Sequence, residues 1–228
     1  MENKKGNKAD RFRELLLIVL FFSTVNLSAE TPEDIIHTSY KDGIFTTECK
    51  VWIDASEKVT TSMMDDFIVQ FRSDLDRLFT WALKDMNLRG ESDEFIVYYL
   101  KSSEYNPQTE IIHGKMDVIV PGILTIDDIS IDGKMYKKEG SDKKVVVQYD
   151  ILKATGFIKN ADATFTILRE NEQSAWCTLD LRVKFGWFFN IFVTQKIYKK
   201  NLEWRFEQLA INLKEEAQKR ERTSTPNP

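Results

Sequence analysis

The chain has 228 residues, with 32 Lys and Arg against 36 Asp and Glu, and a formal charge of −4 at pH 7. That balance argues against a nucleic-acid partner, which needs a basic face. Two His and two Cys leave little material for a metal site, whereas five Trp, seven Tyr and fifteen Phe are ample for a core or a lined pocket.

Residues 1–29 have the parts of a cleavable export signal. Lys4, Lys5, Lys8, Arg11 and Arg13 form a basic start, Leu15 to Leu27 an apolar run, and Leu27-Ser28-Ala29 a small-residue cleavage site before Glu30. An uncleaved anchor would need about 20 consecutive apolar residues, and this run is shorter. Cleavage leaves a mature chain of about 199 residues and charge about −6, expected in the periplasm or secreted. Charges interrupt every later apolar stretch, so no transmembrane helix is expected after cleavage.

Residues 30–43 are polar, contain Pro32 and read as a leader. Ile44–Ile53 alternates apolar and polar residues, as a half-buried strand does. Thr60–Met86 contains no Gly or Pro. Its apolar residues, from Met63 and Met64 through Phe67, Phe71 and Phe79 to Met86, recur at threes and fours, which predicts one long helix. Thr60 or Thr61 suits its N-cap, and Asp65 and Asp66 suit its positive end. Strand patterns follow at Glu94–Leu100, Thr109–Val120, Leu124–Tyr136, Lys144–Ile151, Ala161–Arg169 and Ala175–Phe185, separated by short turn-forming links such as Pro121-Gly122. Short links favour antiparallel neighbours. Asp132-Gly133 leaves open a split of the third of these into a hairpin, and Gly156 a bend. Ile191, Tyr198, Leu202, Phe206, Leu209, Leu213 and Ala217 form the stripe of a second long helix, and 221–228 reads as a disordered tail. Cys49 and Cys177 fall on apolar strand faces, where a free Cys packs as a small hydrophobe; a disulfide stays open, because its geometry is not legible in sequence.

The predicted class is α+β: a curved antiparallel sheet of about seven strands wrapped around a long C-terminal helix, with a helical segment after the first strand. The strand Ile44–Ile53, the helix Thr60–Met86, the hairpin Ala161–Phe185 and the Gly186-Trp187-Phe188-Phe189 entry into the last helix carry this order. In it the chain resembles the START-like, or helix-grip, superfamily of polyketide cyclases and lipid-transfer domains, over a single domain at 44–220. The resemblance departs in one respect: the family usually places two short helices after the first strand. It implies a cavity between sheet and last helix for lipids, sterols or aromatic polyketides. Val118, Val120, Leu179, Leu181, Leu202 and Phe206 are the expected lining.

Catalytic patterns are absent from the sequence. His37 lies in the leader and His113 on a solvated strand face with Lys115 and Asp117, which reads as ordinary surface histidine. Neither supplies a zinc set, which needs three or four clustered ligands. Asp127, Asp128 and Asp132 lack calcium-loop spacing and read as a charged rim. Met63, Met64, Phe67, Phe71 and Phe79 fit a helix core better than a pliable pocket. Trp187, Phe188, Phe189 and Phe192 cannot all face one side of a helix, which makes them a candidate interaction patch. The expectation is an exported, non-enzymatic binder of a hydrophobic small molecule or lipid, without cofactor or metal. Two readings stay beside it: a protein-interaction domain using the Trp187–Phe192 cluster, and a cyclase or hydrolase using a carboxylate or Tyr inside the cavity.

Overall fold

Strand-forming alternation runs through most of the chain, and the described residues form eight strands. The computed structural model describes residues 32–74, 96–155, 158–187 and 194–224, without the side chains of 67–71 and 224. The expected export signal, the region 75–95, Gly156, Phe188, Phe189, Ile191, Phe192 and the last four residues of the tail lie outside the described residues.

The strands are β1 (Ile35–Lys41), β2 (Ile44–Asp54), β3 (Val97–Asn106), β4 (Ile111–Val120), β5 (Leu124–Gly140), β6 (Lys144–Ala154), β7 (Ile158–Asn171) and β8 (Ser174–Phe185). They make one sheet in the order β1-β2-β8-β7-β6-β5-β4-β3, antiparallel throughout. On β2 the inward set is Phe45, Thr47, Cys49, Val51 and Ile53, all buried; on β8 it runs from Ala175 and Cys177 to Val183 and Phe185. Period-two alternation had predicted both faces.

β1 is a correction to the expected leader. Residues 35–41 fold back on β2 through Asp42 and Gly43, both at positive φ, and form the sheet edge. Of this strand only Thr38 is buried, so no apolar alternation announces it. Backbone pairing to β2, Ile36 against the core, the Tyr40 ring 4.6 Å from that of Phe45 and a set of polar contacts hold it. The Thr38 hydroxyl shares a 2.9 Å hydrogen bond with that of Thr47, and the Thr38 amide donates to the Glu203 carboxylate at 2.8 Å.

A second correction concerns the first helix, α1 (Glu57–Ser73). It ends thirteen residues before Met86: Asp74, at φ −147° and ψ 86°, has left helical conformation. Its N-cap is Ser56 rather than Thr60 or Thr61. The Ser56 amide and hydroxyl both donate to the Glu221 carboxylate, at 3.1 and 2.9 Å. Asp66 sits too far along the helix to serve its positive end and instead pairs with Arg220 at 2.6 Å. Val59, Met63 and Met64 are buried in the core.

The long C-terminal helix, α2 (Gln195–Ser224), buries Tyr198, Leu202, Phe206, Ala210, Leu213 and Ala217. The Tyr198 ring packs 4.3 Å from that of Phe45 and 4.9 Å from that of Phe185. Two consecutive residues of α2 show how far the sheet curls. The Phe206 carbonyl lies 3.8 Å from the Cys49 thiol on β2, and the Arg205 guanidinium lies 4.9 Å from the Tyr98 ring on β3. β2 and β3 are six strand intervals apart, about 29 Å in a flat sheet at the usual interstrand spacing. Only a sheet that closes around the helix brings both to adjacent residues.

The curl is accompanied by interrupted pairing in β4 and β5. Register shifts fall between Met116 and Val118, between Asp132 and Gly133 and between Lys137 and Glu139, and bulges of this kind bend a sheet. Asp132-Gly133 is therefore a bulge inside β5 and no hairpin turn. A side chain at Gly133 would collide with the Tyr149 ring that crosses it.

Cys49 and Cys177 are buried and free. Val51 is opposite Cys177, and Cys49 is opposite Leu179. The thiols thus sit on a diagonal, where Cα atoms are typically about 7–8 Å apart, beyond the range of an unstrained disulfide.

Candidate functional site

The first turn of α2 is flanked by two clefts. The Thr194 hydroxyl accepts from the Ile197 amide at 3.3 Å and its carbonyl from the Tyr198 amide at 3.0 Å, which places Thr194 as the N-cap. On one side, a cleft of about 450 Å3 is lined by Ile96, Val120, Pro121 and Ile123 from the sheet side and by Lys196, Ile197, Lys200 and Asn201 from the helix. On the other, a cleft of about 460 Å3 lies between β1 and the helix, with His37, Thr38, Ser39, Tyr40, Phe45, Gln195, Lys196 and Lys199. Lys196 borders both.

Local sequence sets the geometry of the first cleft. Val120-Pro121-Gly122-Ile123 is a four-residue turn closed by the Ile123 amide donating to the Val120 carbonyl at 3.0 Å. Pro at its second position and Gly122 at φ 69° in its third are the type II pattern. The turn projects Ile123, 47% exposed, to the cleft rim. Opposite, Asn201 fixes the wall. Its Oδ1 accepts from the Ile96 amide at 2.9 Å and its Nδ2 donates to the Ile197 carbonyl at 3.0 Å. The buried Arg205 donates to the Ile96 carbonyl. Both backbone groups of Ile96 are thereby satisfied and its side chain is packed against the cleft floor, as a buried backbone requires.

The structure places the six expected lining residues in two groups. Val118, Val120, Leu202 and Phe206 are buried in the core; Leu179 and Leu181, neighbours on β8, are half-buried against it. Of the six, Val120 borders the described cleft. Sequence reasoning missed Ile96, Ile123, Lys196, Lys200 and Asn201. Ile123 carried a legible signal, a large apolar residue directly after Pro-Gly in a turn. Lys196 and Lys200 carried another, cations at the start of a helix where acids are preferred. Asn201 carried none, since its partner is 105 positions away.

Trp187 is 74% exposed, the most exposed large apolar residue among those described. His113 has a partner that the sequence did not show: its Nδ1 lies 2.8 Å from Asp132 Oδ1 on the solvated face. Asp128 pairs with Lys101 at 3.1 Å, and its amide donates to Asp117 at 2.9 Å, so these acids form an ion-pair cluster within the sheet. The Lys101 ammonium holds the Asp117 carboxyl below the usual range. Among the described residues no group of three or more His, Cys, Asp or Glu is placed to hold a metal ion. No helix among them is long and apolar enough to cross a membrane.

No protein-family model matches the sequence, and no curated protein matches it either. Solved structures do resemble it. A START superfamily protein from Mycobacterium smegmatis is similar at 13% identity and a TM-score of 0.45, over 76% of this chain and 97% of the other. An aromatase/cyclase from Streptomyces sp. R1128 is similar at 9% identity and a TM-score of 0.46, over 78% and 94%. Truncated norcoclaurine synthase from Thalictrum flavum is similar at 10% identity and a TM-score of 0.40, over 79% and 98%.

Proposed function

We propose that the protein is an exported, non-enzymatic binding domain that takes up a hydrophobic small molecule or lipid beside the first turn of α2. The observation that carries this reading is the cleft of about 450 Å3 walled by Ile96, Val120, Pro121, Ile123 and Ile197. Ligand pockets run to about 300–1,000 Å3 and are mostly apolar with a few polar groups. The described lining holds no carboxylate, histidine or cysteine, and its titratable side chains are those of Lys196 and Lys200.

The test is titration of the protein with a fluorescent apolar dye such as N-phenyl-1-naphthylamine, using material recovered outside the cytoplasm. One dye per chain is expected, with an N terminus at Glu30. Ile123→Asp should weaken uptake about tenfold without changing the melting temperature, because the side chain is at the rim and not in the core. No uptake, or uptake indifferent to Ile123→Asp, overturns the binding reading. Recovery of the protein only from the cytoplasmic fraction, with Met1 retained, overturns the export part.

Trp187 supports a second reading, docking of a protein partner through an exposed aromatic. Interface hot spots are enriched in Trp. If this reading holds, Trp187→Ala keeps the thermal midpoint within about 2 °C, a surface-sized effect, and removes a cross-linked partner recovered from the native envelope. An unchanged cross-linking pattern counts against it.

A further inference from the structure

We infer that Ile96 sets the length of the molecule taken up in the α2 cleft: a slender aliphatic chain enters end first and stops against the Ile96 side chain. The inference rests on the binding reading above and adds the shape class of the ligand and the residue that selects among chain lengths.

The cleft has a rim and a floor. Ile123, Lys196 and Lys200 are exposed and stand at the rim, whereas Ile96, Val120 and Asn201 line the same cleft and are buried, Ile96 at 1% exposure. Depth therefore runs from the β4–β5 turn and the first turn of α2 inward to Ile96. The two apolar floor residues are strand neighbours: Val97 is opposite Ile119, which sets Ile96 beside Val120. The walls between rim and floor are aliphatic, from Val120, Pro121, Ile123 and Ile197. Each methylene that a chain buries against such walls tightens binding about fourfold.

The floor is pinned from the helix. The Ile96 amide donates to Asn201 Oδ1 at 2.9 Å, and the Ile96 carbonyl accepts from Arg205. Asn201 is fixed in turn by its Nδ2, which donates to the Ile197 carbonyl at 3.0 Å, and the Arg205 guanidinium rests 4.9 Å from the Tyr98 ring. Pushing Ile96 aside would break two hydrogen bonds between buried groups, one of them to a guanidinium. That costs more than the burial of one further methylene returns. The chain stops and the floor stays. The size of the side chain at position 96 is thus the ruler, and Asn201 and Arg205 are positioning residues that act through it.

The experiment displaces the bound dye with straight-chain alcohols from 1-hexanol to 1-dodecanol. In the native protein affinity should rise about fourfold per methylene up to one length and level off beyond it. Ile96→Ala leaves a space that its surroundings only partly fill, so its levelling point should lie about two carbons further out. Ile96→Val, the milder change that serves if the alanine variant does not fold, should move it by about one carbon. Ile123→Ala, at the rim, should weaken every alcohol alike and leave the levelling point where it is. Melting temperatures establish which variants are folded. The same levelling point in the native protein and in a folded Ile96 variant overturns this inference and leaves the apolar-binding reading standing. So does affinity that climbs through dodecanol without levelling, or a dye that binds and that no alcohol displaces. Absence of dye uptake overturns the two readings together.

Discussion

Replacing Phe206 by Ala should lower the unfolding free energy by about 3–5 kcal/mol, the usual cost of deleting a buried Phe ring. Domains of this kind hold about 5–15 kcal/mol in all, so the variant should be close to unfolding at 37 °C. The reason is position. Phe206 is 6% exposed in the centre of the helix stripe, at the residue whose carbonyl meets the Cys49 thiol. The same residue was expected from sequence to line a ligand space, and the two roles separate by measurement. If the ring is core, urea denaturation shows the full loss and Phe206→Leu recovers more than half of it. A variant of native stability that no longer takes up dye would instead place the ring on the ligand.

Stability should also fall between pH 8 and pH 11, by about 4 kcal/mol from Cys49 and Tyr149 alone, at about 1.4 kcal/mol per unit of pKa displacement. Burial pushes the Cys49 thiol up from 9.0 to about 12, with a smaller push from Asp34, and raises the Tyr149 hydroxyl from 10.0 to about 12, with a smaller push from Asp132. Burial raises Cys177 as well. The folded chain keeps these protons when the unfolded chain has lost them. The share of Cys49 and Tyr149 is therefore complete below about pH 9, declines as pH climbs past the unfolded values, and is gone above about pH 12, while Cys177, raised further, loses its share later. Urea midpoints at pH 8 and 11 measure it, and Cys49→Ala with Cys177→Ala should flatten the decline. Buried protonated thiols are also poor nucleophiles: a disulfide-exchange reagent at pH 8 should leave the folded protein unmodified and titrate two thiols in urea. A flat stability between pH 9 and 11, or fast reaction of the folded protein, would contradict the burial of these groups.

The strands were legible because alternation is a local property. Residues Phe45 to Ile53 and Ala175 to Phe185 declare their inward faces within a few positions, and Pro121-Gly122 declares its turn. The stripe from Tyr198 to Ala217 did the same for α2 at helical period. β1 was hidden because its one buried residue is Thr38, which bonds to Thr47 and Glu203. The end of α1 was hidden because apolar spacing continues past Ser73 and does not record where the backbone leaves the helix. The cleft was hidden for a third reason. Its walls come from Ile96, the β4–β5 turn and the first turns of α2, and the contact that aligns them, Asn201 to Ile96, spans 105 positions.

By itself the sequence determined the class of fold, the antiparallel order implied by its short links, and the inward face of each strong strand, because these follow from periodicities of two and 3.6 and from turn residues. Only the tertiary structure decided the edge strand, the diagonal that keeps Cys49 and Cys177 apart, and the closing of the sheet that sets Phe206 against β2 and Arg205 against β3. It also decided that Lys196 and Lys200 border one cleft with Ile96 and Ile123. Each of these is a meeting of residues far apart in the chain, fixed by the register of eight strands together and so written in no single segment.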